Sequence, residues 1–138
     1  MFNLLQDLAW HFGNKGINGE CCGDLSLVEF MALKKICNSP SFSIQEIGNA
    51  LNFTKSGATR IIDRLENKGY VTREQSLIDG RICCVTITHK GKETTNQIIE
   101  KYTSYLADSL KDLQSSTINQ IKDVLDVLVK AVQDKEMP

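Results

Sequence analysis

The sequence predicts a mainly α fold with one small β-hairpin (α+β): a winged helix–turn–helix framed by helices from both chain ends. Three observations predict it. Between Ser43 and Thr88 the apolar positions change from helical spacing to strict alternation. The same stretch carries two helix-start signals around the short turn Asn52-Phe53. After Thr88, helically spaced apolar residues run almost to the end of the chain.

A chain of 138 residues reads as a single domain, long enough to bury a core without staples. Its parts are an N-terminal helix and linker (1–23), a winged helix (24–92) and C-terminal dimerisation helices (93–138). Formal net charge is −1, but residues 52–92 carry +4 between flanks of −2 and −3. A basic middle between acidic ends is a local electrostatic footprint. No apolar run reaches the roughly 18 residues of a membrane span. The opening MFNLLQDLAWHFG has neither a basic leader nor a small-residue cleavage site. The expectation is a cytoplasmic protein with no membrane partner.

Taken in order, Phe2, Leu5, Leu8, Ala9 and Phe12 have helical spacing. Gly13, Gly16, Gly19 and Gly23 then mark a loose connection that contains Cys21-Cys22. Ser26-Leu-Val-Glu29 is a capping box, followed by Leu27, Phe30, Met31, Leu33 and Ile36 on one face. Asn38-Ser39-Pro40 ends that helix. A second box, Ser43-Ile-Gln-Glu46, opens a helix whose stripe is Ile44, Ile47 and Leu51. Gly48 costs that helix about 1 kcal/mol relative to Ala, which fits a close helix crossing.

Thr54 is a good N-cap, and the next helix runs to about Asn67 with Gly69 as its stop. At 100° per residue Ala58, Ile61, Ile62 and Leu65 share one face. Ser56, Thr59, Arg60, Asp63 and Arg64 share the other. Hydroxyls and guanidiniums bond phosphates, and Arg forks onto a guanine edge. A merely solvated face usually carries Glu/Lys pairs instead, so this helix favours DNA.

Tyr70 begins a strand, Ser76-Leu-Ile-Asp-Gly80 is a hairpin tip, and Arg81–Thr88 returns. Cys83, Val85 and Ile87 alternate with Ile82, Cys84 and Thr86. Helix–turn–helix followed by a hairpin is a winged helix. Arg81 at its tip suits a narrow minor groove, with Asp79 orienting the guanidinium. Thr88 caps a long helix with the stripe Ile98/Ile99, Tyr102, Leu106, Leu110 and Leu113, which Ser115-Ser116 breaks. The last helix spaces Ile118, Ile121, Leu125, Leu128 and Val132 in a heptad-like 3-4-3-4 seam. That seam packs either within the monomer or, as favoured here, across a two-fold axis.

On these residues the chain resembles the MarR family of regulators over roughly residues 24–135. The resemblance is carried by Phe53-Thr-Lys-Ser-Gly-Ala-Thr-Arg60, Asp63-Arg-Leu-Glu-Asn-Lys-Gly-Tyr-Val71, Arg73 with Asp79-Gly-Arg81, and Thr86-Ile-Thr-His-Lys-Gly91. Ile87 stands where the family has leucine. It implies a homodimeric transcription factor, usually a repressor, on a pseudo-palindromic operator of double-stranded DNA. The implied contacts are Thr54, Lys55, Ser56, Thr59, Arg60 and Arg64 in the major groove, with Arg73, Asp79 and Arg81 on the wing. A small lipophilic ligand, an oxidant or a metal commonly controls such proteins.

Five cysteines are present, four of them in the adjacent pairs Cys21-Cys22 and Cys83-Cys84. In a cytosolic protein they are expected reduced, with no disulfide framework. Cys21 and Cys22, just before a helix start, and Cys84, facing outward, are candidate thiol or thiophilic-metal sensors. Isolated His11 and His89 give no zinc-site spacing, so no metal is assigned. There is no phosphate loop or nucleophile elbow, so no cofactor and no enzymatic turnover is expected. The alternative function is a winged helix that binds protein and not DNA.

Overall fold

Six helices and two small antiparallel sheets form among the described residues, which are 1–13, 20–39, 42–75, 82–136 and 138 of the computed structural model. The order is α1 (Phe2–Gly13), β1 (Glu20–Cys22), β2 (Leu25–Ser26), α2 (Leu27–Cys37), α3 (Ile44–Leu51), α4 (Lys55–Asn67), β3 (Val71–Gln75), β4 (Ile82–Ile87), α5 (His89–Ser109) and α6 (Ser115–Gln133). This is the mainly α winged helix predicted. The chain divides into two compact units, residues 1–99 and 100–138.

In the first unit the helix starts form where the capping residues place them. Ser26 Oγ accepts from Glu29 N at 3.2 Å while Glu29 Oε1 accepts from Ser26 N at 3.2 Å, a complete capping box. Ser43 Oγ accepts from Glu46 N at 3.0 Å. The core joins Leu33 and Ile36 of α2, Ile47 of α3, Ile62 and Leu65 of α4, and Val71 and Val85 of the wing strands, all buried. Each such side chain contributes about 1.5–3 kcal/mol on burial.

β4 is the middle of the wing base. On one side Val85 pairs with Arg73 of β3, in a register that also sets Thr72 against Thr86 and Glu74 against Cys84. On the other, Val85 N donates to Phe42 O at 2.7 Å and Val85 O accepts from Phe42 N at 3.4 Å. The segment before α3 therefore adds a third strand-like edge, and the wing is tied back to the helices at Val85.

Three details differ from the sequence reading. Residues 20–23, expected as the end of a loose connection, instead form β1 and a turn at Gly23 with φ +69°, and β1 pairs with β2. Strands of three and two residues are too short to show an alternation, and Gly23 supplies the positive φ of the turn. Second, Cys22 is buried and disulfide-bonded, where reduced thiols were expected. Third, Ser115 and Ser116 open α6 instead of breaking α5; the break is at Leu110–Gln114. Ser is tolerated in a first helical turn, where backbone donors are unsatisfied anyway.

The second unit contains α6, which has no buried residue. Ile121, Val124, Leu125, Val127, Val129 and Val132 are all exposed in the single chain. In the first unit α1 is likewise without a buried residue, with Phe2, Leu4, Leu8 and Trp10 exposed. Among the described residues no helix is long and apolar enough to cross a membrane.

Candidate nucleic-acid interface

The site is built on the tight α3–α4 corner. Asn52 takes the left-handed conformation, φ 57°, and Phe53 N donates to Gly48 O at 2.8 Å. A Cβ on Gly48 would lie 3.1 Å from Phe53 O and 3.5 Å from the Ala58 Cβ. The two small residues let the helices approach, as the sequence implied for Gly48. Ala58, Ile61, Ile62 and Leu65 are buried, so the opposite face of α4 is committed to solvent.

On that face Lys55, Ser56, Arg60, Asp63 and Arg64 are exposed and Thr59 is half-buried. Thr54 caps the helix by accepting from Gly57 N at 3.1 Å, and its hydroxyl lies 3.2 Å from Ser56 Oγ. Thr59 Oγ1 donates to Lys55 O at 2.8 Å, which fixes its rotamer and leaves its lone pairs outward. Among the described residues Arg60 and Arg64 enter no ion pair. A row of hydroxyls beside two uncommitted guanidiniums suits the edge of a polyanion.

The structure brings Thr54, Lys55, Ser56, Thr59, Arg60 and Arg64 together on one helix. It places Arg73 elsewhere. Arg73 lies on β3, its side chain 18% exposed, between two carboxylates of α4. Its Nη1 donates to Glu66 Oε1 at 2.8 Å, its Nη2 donates to Asp63 Oδ1, and its backbone N donates to Glu66 Oε2 at 3.3 Å. Asp79 and Arg81 lie outside the described residues, as does the Cys21 side chain. Cys84 is half-buried on β4, and neither it nor Cys37 is in a disulfide. Among the described residues no group of three His, Cys, Asp or Glu could hold a metal.

A second set of contacts, not foreseen from the sequence, anchors the C-terminal end of α4. Lys68 Nζ donates to Glu29 Oε2 at 2.8 Å and to Asp24 O at 2.6 Å. Tyr70 OH donates to Asp24 Oδ1 at 2.5 Å. Lys90 Nζ sits 4.8 Å from the Tyr70 ring centroid and donates to Lys68 O at 2.7 Å. Burial, then the bond to Asp24 and its charge, push the Tyr70 phenol up to about 12. For Glu29, burial pushes the carboxyl up, but the bonds to Lys68 and Ser26 outweigh it and hold the group below its ordinary value. The partners sit 39 and 46 residues apart, so only the fold brings them together.

The start of α5 locks the same corner. Thr88 Oγ1 donates to Gly69 O at 2.7 Å and accepts from Gly91 N at 3.0 Å, and Thr88 N donates to Tyr70 O at 3.0 Å. A Cβ on Gly91 would lie 2.2 Å from Tyr70 O. The Thr-x-x-Gly spacing at residues 88–91 is thus a cap plus the one residue small enough to sit against that carbonyl.

Comparison with known proteins agrees with this fold. Residues 25–83 match the model of the MarR family. The chain is 28% identical over 109 residues to the transcriptional repressor MprA of Escherichia coli (strain K12), an alignment covering 78% of this chain and 62% of that one. The chain thus spans under two thirds of that relative's length. A MarR-like transcriptional regulator from Thermotoga maritima superposes with a TM-score of 0.69 at 26% identity, over 97% of this chain and 95% of that one. A MarR family protein from Bacillus stearothermophilus gives 0.80 at 21% identity, over 96% and 93%.

Proposed function

From the premise that the chain is a MarR-family protein over residues 25–83, we propose that it is a homodimeric, sequence-specific DNA-binding regulator acting as a repressor. The observation that carries this is the exposed face of α4. Lys55, Ser56, Thr59, Arg60 and Arg64 stand together there, opposite a buried face, with both guanidiniums uncommitted among the described residues. In the dimer two α4 helices enter successive major grooves of a pseudo-palindromic operator. The wings, through Asp79 and Arg81, reach the adjacent minor grooves. The similarity to a named repressor supports the direction of regulation.

Release from DNA is assigned to a small lipophilic ligand or to thiol chemistry. A hollow of about 580 Å³ lined by Gln6, Asp7, Ala9, Trp10, Gly13 and Leu27 supports the first. The disulfide at Cys22 and the thiol of Cys84, outside any disulfide on a wing strand, support the second, with Cys21 and thiophilic metals included. The protein acts in the cytoplasm, by binding and not by turnover.

The test is selection of bound sequences from random duplex DNA, then a salt titration on the selected duplex, with and without a thiol reductant. Each phosphate contact should steepen the fall of log K with log[salt] by about 0.9. A steep fall is expected. No duplex binding at low salt, or a flat dependence, would assign the winged helix to a protein partner instead.

A further inference from the structure

We propose that Arg73 is a positioning residue of the DNA interface, which acts by holding Asp63 away from Arg60, and that it makes no DNA contact itself. The inference rests on the DNA-binding reading and deepens it.

Asp63 is the one acid on the exposed face of α4, three residues after Arg60. At that spacing the two side chains are neighbours on a helix surface and of opposite charge, so they are natural partners. Yet in the structure Asp63 bonds to Arg73, ten residues away across a turn, and Arg60 enters no ion pair among the described residues. Glu66 holds the other arm of the Arg73 fork and also its backbone N–H, so strand β3 is tied to α4 at three points. Both terminal nitrogens of the guanidinium are committed, and its side chain is mostly buried. To grip a phosphate it would have to leave two carboxylates uncompensated beside the polyanion. Held where it is, it neutralises both, satisfies Asp63, and leaves the Arg60 fork free. Arg suits this role because its planar fork serves two acceptors at once, where a Lys ammonium is a point charge.

The role is testable through its partners. In the full chain, Arg73→Ala should weaken binding to the selected duplex about tenfold or more, within the range of a lost charge pair at a binding surface. Because the released Asp63 then captures Arg60, the slope of log K against log[salt] should fall by up to about 0.9, as in Arg60→Ala, and Asp63→Asn should restore it. In an Asp63→Asn background, where no carboxylate can capture Arg60, Arg73→Ala should cost less than about threefold, the sign of coupled sites. In an Arg60→Ala background it should likewise cost little. A structural clamp would give neither suppression, and thermal unfolding of each variant separates loss of fold from loss of binding. If Arg73→Ala proves unfolded, Arg73→Lys keeps the charge without the fork, and the same two backgrounds apply. A slope reduced by about 0.9 with no suppression by Asp63→Asn would make Arg73 a phosphate contact and overturn the proposal. Failure of the wild-type chain to bind duplex would remove the DNA reading itself, a result distinct from either.

Discussion

Single side chains at the α4–wing corner have assignable physical roles. At Gly91 the limit is space. A methyl group there would press on the backbone carbonyl of Tyr70 and on Ile87 Cγ1, 2.8 Å away, and backbone cannot swing aside as a flexible side chain can. Gly91→Ala should therefore destabilise the protein by about 1–3 kcal/mol or more, read by urea unfolding. A neutral result would mean that α5 docks less closely than described. At Tyr70 the limit is charge. The phenol lies above its ordinary value of 10.0, at about 12, so the folded state holds this proton more tightly than the unfolded one. The stability it contributes is whole below pH 10 and declines as pH climbs from 10 toward 12. Unfolding free energy measured from pH 9 to 11 should fall in the wild type and fall less in Tyr70→Phe. Parallel curves would show that the Asp24 bond does not govern the titration. Glu29 has the opposite sign: its lowered carboxyl supports the fold above 4.5 and ceases to as pH drops below that.

Among the elements, α4 is organised by its first turn. Thr54 satisfies the Gly57 amide and lies beside Ser56, so one hydroxyl both caps the helix and sets the start of its exposed face. Thr54→Ala should cost about 0.5–2 kcal/mol of stability, and Thr54→Ser should restore most of it. Thermal unfolding of the pair checks this, and equal loss in both would remove the capping role. α4 and its caps could be read from the sequence because capping, periodicity and stop signals all act within four residues. So could the Ser26 box, the Asn52 corner and the small residue at position 48. What could not be read lies across larger distances. Arg73 shares no helix with Asp63 and Glu66, and only the packing of β3 on α4 places it between them. From the sequence it was one more wing arginine, although a lone acid on a helix face of hydroxyls and arginines was a hint that a counter-ion was near. β1 and β2 escaped because five residues in two strands show no period. The glycines around them read as a linker, and only the Gly23 turn pointed to pairing.

At the scale of the whole molecule, the apolar faces left uncovered carry the strongest constraint. In the 100–138 unit Val124, Val127 and Val132 are 64%, 68% and 58% exposed, and Ile121 and Leu125 lie among them. Soluble monomers rarely expose so continuous an apolar face, and a seam spaced 3-4-3-4 is what a second helix can interdigitate with. In the proposed dimer a two-fold partner covers it and sets the spacing of two α4 helices, because half-sites of an operator lie about 34–36 Å apart, one turn of DNA. On that proposal, affinity for a palindrome depends on α6. The wild-type chain should sediment at about twice its 15.4 kDa mass. Leu125→Asp sets a carboxylate in the middle of the seam, where burial without a partner costs several kcal/mol. It should yield a folded monomer with normal helical circular dichroism, and binding to a full operator should drop to the level of a single half-site. A variant that remains dimeric would place the interface on other faces, with α1 the next to test. A monomeric variant that keeps full operator affinity would show that the two half-sites are read independently.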